Sequence, residues 1–193
     1  KNIHRDQLED PATLTEREHY DFTACVSGTL AGRGLLFAGV TTLNTRDTIA
    51  RARGVVAHGA DGLFLGRPMW MALDEPGIVR YYSDIAEALP DVPIILYDNH
   101  LAFKGRISTA AYAALSRIPS IVATKHIGGP AMDDDLRAVE GRMRVLPIDA
   151  QWSAFARAHP DAALRPDEKG ASAASPIWVG SEGKADRVAH LMR

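Results

Sequence analysis

The sequence predicts an α/β fold, a (β/α)8 barrel of which these residues supply only part, and three observations point there. Five short, continuously apolar segments, at 35–40, 62–66, 92–98, 120–125 and 144–148, recur roughly every 30 residues, the length of one βαβ unit. Amphipathic helical patterns fill the intervals, so the strands should run parallel and be covered by helices. No glycine-rich dinucleotide fingerprint follows a strand and no G-x-x-x-x-G-K-[ST] loop occurs, which removes support from nucleotide-binding variants. A complete barrel takes about 250 residues, against 193 here. Beyond the five strands only a doubtful one at "SPIWVG" is visible, so pieces of the barrel are expected to be missing, most obviously at the N-terminus. Residues 1–193 read as a single partial barrel domain.

The elements follow in order. "LTEREHYDFTACVSGTLAGRG" is a helix: Thr15 is an N-cap candidate, Glu16 and Glu18 stand in the first turn, and glycines close it. "LLFAGV" is a strand and "TRDTIARARGVVAHG" a helix; "GLFLG" is a strand and "EPGIVRYYSDIAEALP" a helix with Pro76 in its first turn. "VPIILYD", "SIVATK" and "RVLPI" are strands, followed by helices over "STAAYAALSRI", "AMDDDLRAVEG" and "DAQWSAFARAHP".

Composition excludes several function classes. With 46% hydrophobic residues, 24% charged and a net charge of −2, the chain has the makeup of an ordinary globular domain. Its basic residues are scattered, which argues against nucleic acid and against an anionic membrane. No run of about 18 apolar residues exists, and the polar start "KNIHRDQLEDP" reads as neither signal peptide nor membrane span. The single cysteine, Cys25, cannot form an intrachain disulfide and reads as a buried structural thiol rather than a reactive one. A cytoplasmic setting follows as the default.

In such a barrel, chemistry lies at the C-terminal ends of strands and in the loops beyond. That rule selects Thr41, Thr42 and Asn44; Arg67; Tyr97, Asp98, Asn99 and His100; Thr124, Lys125 and His126; and Asp149 with Trp152. Only five lysines occur, Lys1, Lys104, Lys125, Lys169 and Lys184, and Lys125 alone ends a strand-like run. A lysine in an apolar barrel mouth can add as a free amine to a ketone, giving a Schiff base that serves as an electron sink. The ordinary lysine pKa of about 10.4 opposes this, and burial beside Ile121 and Val122 acts in the required direction. Tyr97, at the end of the neighbouring strand, could relay a proton. The alternative at this point is structural: Lys125 snorkels outward or pairs with an aspartate of "DDD" at 133–135.

"LFAGVTTLNTRDTIARAR", "GADGLFLGRPMW", "ILYDNHLAFKGRIS", "VATKH" and "LPIDAQWSAFARAHP" resemble the pyruvate-dependent class I aldolase family that includes dihydrodipicolinate synthase and N-acetylneuraminate lyase. Within it the resemblance is strongest to the hydratase-aldolases of trans-o-hydroxybenzylidenepyruvate and related products of aromatic degradation, with "NTRDTI" and "AFK" the most subgroup-specific pieces. The resemblance implies an eightfold barrel, usually a homotetramer, and a lyase that takes a pyruvate-derived 2-oxo acid and uses no cofactor. It implies that Lys125 forms the pyruvyl Schiff base, that Tyr97 transfers protons, and that Asn99 sits near the substrate's hydroxyl or hydrating water. It also implies that Gly170, Ala171 and Ser172 help hold the pyruvate carboxylate, and that the loop carrying Trp70 borders the substrate's aromatic part. Thr41 and Thr42 complete the candidate substrate-binding set. Relative to that family, strand one and most of strand two are expected to be absent from these residues. Where the family has a glycine-threonine-x-glycine-glutamate loop after strand two, this chain has "RDQLED" at 5–10, and His100 replaces the expected proline after Asn99. Two other readings stand beside the lyase: a synthase-type condensation or decarboxylation on the same lysine, and a non-catalytic barrel serving as a binding or assembly module.

The remaining constellations are weaker. His58, His159 and His190 look helical and surface-directed, and no Cys/His or H-E-x-x-H spacing suggests a metal. "DDD" reads as a solvated helix start favoured by the dipole. Trp70 and Met69 suit an interface as well as a pocket, Arg67 reads as a structural ion-pair partner, and Trp152 reads as core.

Overall fold

A computed structural model of the chain describes residues 14–159 and the short segments 164–166 and 172–174. Helix α1 (Glu16–Leu30) opens with the expected cap: the Thr15 side chain accepts from the Glu18 N–H while the Glu18 carboxylate receives the Thr15 N–H at 2.9 Å. Replacing Thr15 by Ala should cost about 1 kcal/mol, read as a lowered midpoint in chemical denaturation. Then follow β1 (Phe37–Gly39), α2 (Thr45–Ala57), β2 (Gly62–Leu65), α3 (Glu75–Ala88), β3 (Ile94–Asp98) and α4 (Thr109–Leu115). The order ends with β4 (Ile121–His126), α5 (Met132–Ala138), β5 (Arg144–Pro147), α6 (Asp149–Ala158), β6 (Leu164–Pro166) and β7 (Ser172–Ala174). The helices after β1, β2 and β3 are capped by Asn44, Asp74 and Ser108, whose side chains accept from Asp47, Gly77 and Ala111 N–H groups.

Strands β1 to β5 form one sheet in the order β1-β2-β3-β4-β5, and every pair is parallel. This order decides the architecture. Crossovers between parallel strands are right-handed, so a sheet that always advances in one direction carries all its helices on one face. A doubly wound sheet, with helices on both faces, needs a reversal that the five described strands do not make. The face away from the helices is therefore a barrel interior, as the sequence predicts.

The core lies between that sheet and the helices. Leu63, Leu65, Ile94, Leu96 and Ile121 project from the strands against Val55, Ile85, Tyr112 and Leu115, and all nine are buried. Fully burying such a side chain contributes about 1.5–3 kcal/mol, which makes this layer the principal source of stability.

Two expectations need correction. Cys25 is exposed rather than buried, because α1 turns His19 and Thr23 inward and places Cys25 off that stripe. The "DDD" run is not uniformly solvated: Asp133 and Asp134 are exposed, but Asp135 is completely buried. Successive helical residues rotate by about 100°, so one end of a three-residue run falls on the inner face with Met132 and Val139. The segments around "GAS" also behave differently from the parallel rhythm, since Leu164–Pro166 pairs antiparallel with Ser172–Ala174. "SPIWVG", His190 and the "RDQLED" loop lie outside the described residues.

Candidate active site

The C-terminal ends of β2, β3 and β4 converge on Lys125. Lys125 is 8% exposed, and its Nζ lies 4.5 Å from the centre of the Tyr97 ring and 5.8 Å from that of Phe64. Tyr97 and Lys125 are direct cross-strand partners on β3 and β4. This pairing depends on an irregularity. Ile94 pairs with Ile121, but Ile95 pairs with Ala123, so the register slips by one residue and Val122 has no partner on β3. Because side chains alternate faces along a strand, a one-residue slip exchanges the faces. Without it Thr124 would oppose Tyr97 and Lys125 would point into the helices.

Tyr97 is held from two sides. Its ring stacks on Phe64 with centres 4.9 Å apart, and Phe103 meets it edge-on at 5.5 Å. Phe103, from the "AFK" piece, is buried against Gly66, where a Cβ would come within 2.2 Å of the Phe103 ring. Gly66 is therefore required by the ring that packs on it. Asn99 accepts from the N–H groups of Leu101 and Ala102 through Oδ1, which assigns its amide nitrogen as the donor to the Tyr97 hydroxyl at 3.3 Å. Lys125, Tyr97 and Asn99 thus form one contiguous group.

Beneath it lies a buried polar layer. Asp98 and Arg67, each 2% exposed in the side chain, pair at 3.0 Å. The Arg67 guanidinium also donates to the Gly105 carbonyl at 2.5 Å. Asp98 receives the Ile107 N–H at 3.3 Å and the Tyr112 hydroxyl at 3.0 Å. Burial, reinforced by the Asp98 charge, pushes the Tyr112 hydroxyl well above its ordinary pKa, so it stays protonated and remains a donor. Arg67 acts as the structural ion-pair partner that its position suggested. The aspartate run is paired through Asp135 to His126 and Arg106. Asp98, Phe64, Phe103, His126 and Asp135 support the site. Of these, Phe64 and Phe103 were not singled out from sequence, although Phe103 lies in a subgroup-specific stretch.

The other candidates are placed as follows. Thr41 is buried, its hydroxyl accepting the Gly66 N–H at 2.8 Å, which ties the end of β1 to the end of β2. The Thr42 hydroxyl donates to the Asn44 carbonyl at 2.8 Å and lies 2.7 Å from Thr48 Oγ1, so it shapes the start of α2. Trp70 is 80% exposed and borders a cleft of about 410 Å³ together with Leu43, Pro68, Met71 and Arg80. The described lining of that cleft does not include Lys125, Tyr97 or Asn99, so the structure does not bring Trp70 into their group. Ser172 lies in β7, paired across to Pro166, whereas Gly170 and Ala171 are outside the described residues. His100 is exposed, and the side chains of Asp149 and Trp152 are likewise outside the described set. His58 is exposed, and His159 lies 3.1 Å from Asp133.

Comparison with known proteins identifies the family and agrees with the fold. Residues 10–146 match the dihydrodipicolinate synthetase family. The chain belongs to that family. Among curated members it is 48% identical over 153 residues to the trans-2'-carboxybenzalpyruvate hydratase-aldolase of Nocardioides sp. strain KP7, covering 77% of this chain and 46% of that protein. It is 42% identical over 150 residues to the trans-O-hydroxybenzylidenepyruvate hydratase-aldolase of Sphingobium xenophagum, covering 78% and 46%. Among solved structures, "PhdJ bound to substrate intermediate" superposes with a TM-score of 0.76 at 56% identity, covering 77% of this chain and 47% of that one. The pyruvate complex of dihydrodipicolinate synthase from Acinetobacter baumannii superposes with a TM-score of 0.71 at 25% identity, covering 77% and 52%. The chain thus spans about half the length of the family members it matches. No helix among the described residues is long and apolar enough to cross a membrane.

Proposed function

We propose that the protein is a Schiff-base lyase of the hydratase-aldolase kind, acting on a 2-oxo acid derived from pyruvate. The observation that carries this reading is Lys125, buried at the end of β4 with its amine over the Tyr97 ring, while Asn99 reaches the Tyr97 hydroxyl. The free amine of Lys125 adds to the keto carbon, and loss of water leaves an iminium. With an arylidene substrate, water adds to the carbon next to the ring, conjugated to the iminium, and the proton it releases goes to the intervening carbon of the resulting enamine, which restores the iminium; Asn99 positions that water. Tyr97 relays the proton of the resulting hydroxyl as the carbon–carbon bond breaks, accepting it while its own phenolic proton passes on toward the carbon left behind. The electron pair flows into the iminium to form an enamine, and the aldehyde departs. Protonation of the enamine and hydrolysis of the imine release pyruvate and regenerate Lys125. The arylidene substrate class is supported by the names of the two hydratase-aldolases above. Gly170, Ala171 and Ser172 as carboxylate holders, Thr41, Thr42 and Trp70 as substrate contacts, and a homotetrameric assembly belong to the same proposal.

The test is to incubate the protein with pyruvate, reduce with borohydride and map the modified peptide by mass spectrometry. An adduct on Lys125 is expected; its absence in folded protein would remove the reading. Assaying aldehyde release from a benzylidenepyruvate against condensation with aspartate semialdehyde separates the lyase from a synthase. Tyr97→Phe retains both ring contacts and removes the hydroxyl. It should lower kcat by about 10²- to 10⁴-fold while the melting temperature stays nearly unchanged.

A further inference from the structure

We infer that Asp135, acting through His126, is a positioning residue for Lys125, an inference that rests on the Schiff-base reading above. β4 uses its two faces differently. Lys125 faces Tyr97, whereas Thr124 and His126 face the helices, with Thr124 Oγ1 lying 3.2 Å from the Tyr112 hydroxyl. His126 is 1% exposed, and its Nε2 is 2.9 Å from Asp135 Oδ2. The Gly128 N–H donates to His126 Nδ1 at 2.8 Å, so Nδ1 is the bare nitrogen and the Nε2–H is given to the carboxylate. Asp135 also accepts from the Thr109 hydroxyl at 2.5 Å and from the Arg106 guanidinium.

Arg106 and Thr109 stand on the segment that leaves β3 after Tyr97 and Asn99, and His126 is the residue next to Lys125. One buried carboxylate therefore joins the exits of the two strands that carry the proposed nucleophile and proton carrier. The joint lies beyond the register slip at Val122, where the alternation that faces Lys125 toward Tyr97 has been reset. Apolar contacts between β4 and the helices would tolerate small slides of the strand, because they are non-directional. Hydrogen bonds to a carboxylate are directional and weaken steeply when misaligned. The arrangement holds the height of Lys125 beside Tyr97.

The test measures the rate at which borohydride traps the pyruvate adduct across a range of pyruvate concentrations. The proteins are wild type, Asp135→Ala, His126→Asn and His126→Gln, with melting curves recorded so that rates refer to folded protein. His126→Gln keeps an amide N–H near the Nε2 position and can still donate to Asp135. His126→Asn keeps an acceptor near Nδ1 for Gly128 and gives up Asp135. A misplacement of about 1 Å can cost on the order of 100-fold, so Asp135→Ala and His126→Asn should lower the saturating trapping rate by about 10- to 100-fold. The half-saturating pyruvate concentration should move by less than about twofold, since substrate binding is not what is removed, and His126→Gln should recover most of the rate. Should Asp135→Ala fail to fold, the two His126 variants decide alone. Unchanged trapping in folded His126→Asn, or His126→Gln as slow as His126→Asn, overturns the inference while leaving the Schiff base intact. A wild-type protein that forms no adduct removes the Schiff-base reading, and this inference with it.

Discussion

Lys125→Arg is expected to give no borohydride-trapped pyruvate adduct and to lose lyase turnover by at least about 10⁴-fold, the scale of removing a nucleophile. Arginine is the informative replacement. Its guanidinium preserves a cation over the Tyr97 and Phe64 rings, which lie 4.5 and 5.8 Å from the lysine nitrogen, and so retains the electrostatic contact. It remains protonated at any accessible pH and supplies no free amine to attack a ketone. A purely structural lysine would survive the exchange with its function intact. The measurement is mass spectrometry of the reduced adduct together with aldehyde release from a benzylidenepyruvate. Substantial turnover in folded Lys125→Arg would end the Schiff-base assignment.

The largest effect on stability should come from the buried pair behind the site. Asp98→Ala is expected to cost about 3–5 kcal/mol, measured by denaturant unfolding. The substitution leaves the Arg67 guanidinium buried without its counter-charge and strips acceptors from the Ile107 N–H and the Tyr112 hydroxyl. Arg67→Met removes the other partner and should cost a similar amount. The double variant Arg67→Met/Asp98→Ala should be less destabilised than the sum of the singles by at least about 1 kcal/mol, because neither charge is then left alone. It should still fall short of wild type, since removing Asp98 takes that acceptor from the Ile107 N–H and the Tyr112 hydroxyl. Strict additivity would show that the pair is not energetically coupled. Loosening this layer should also lower catalysis, because Asp98 follows Tyr97 directly in the chain and orders the loop through Ile107.

The parallel sheet was legible because each strand carries a continuous apolar run, from "LLFAGV" to "RVLPI", and such runs mark strands covered on both faces. Lys125 was legible for the complementary reason, a cation ending a run that otherwise excludes charge. Tyr97 and Asn99 fell, with Asp98 and His100, in the set that the rule of strand ends selects, and the family resemblance singled out Asn99. Cys25 and Asp135 were misjudged because helical phase within a run of mixed residues is settled by what the helix packs against. Asp135 is buried since its helix turns that position toward Arg106, Thr109 and His126, residues 9 to 29 positions away in sequence. Phe103 escaped notice as a supporting residue because its partner is Gly66, and the absence of a side chain leaves little trace in a hydrophobic pattern.

The sequence by itself determined the alternation of strands and helices, the helix start at Thr15, and the identity of the reactive lysine proposed here. These depend on local composition, periodicity and capping, which are properties of neighbouring residues. Only the tertiary structure decided which way Lys125 faces. Apolar residues stand on both sides of β4, so the pattern is nearly indifferent to a shift of one position. The unpaired Val122 sets the phase, and the contacts of Thr124 with Tyr112 and of His126 with Asp135 hold it. A register is a relation between two strands, and it is resolved when partners distant in sequence meet and their buried polar groups must all find acceptors and donors.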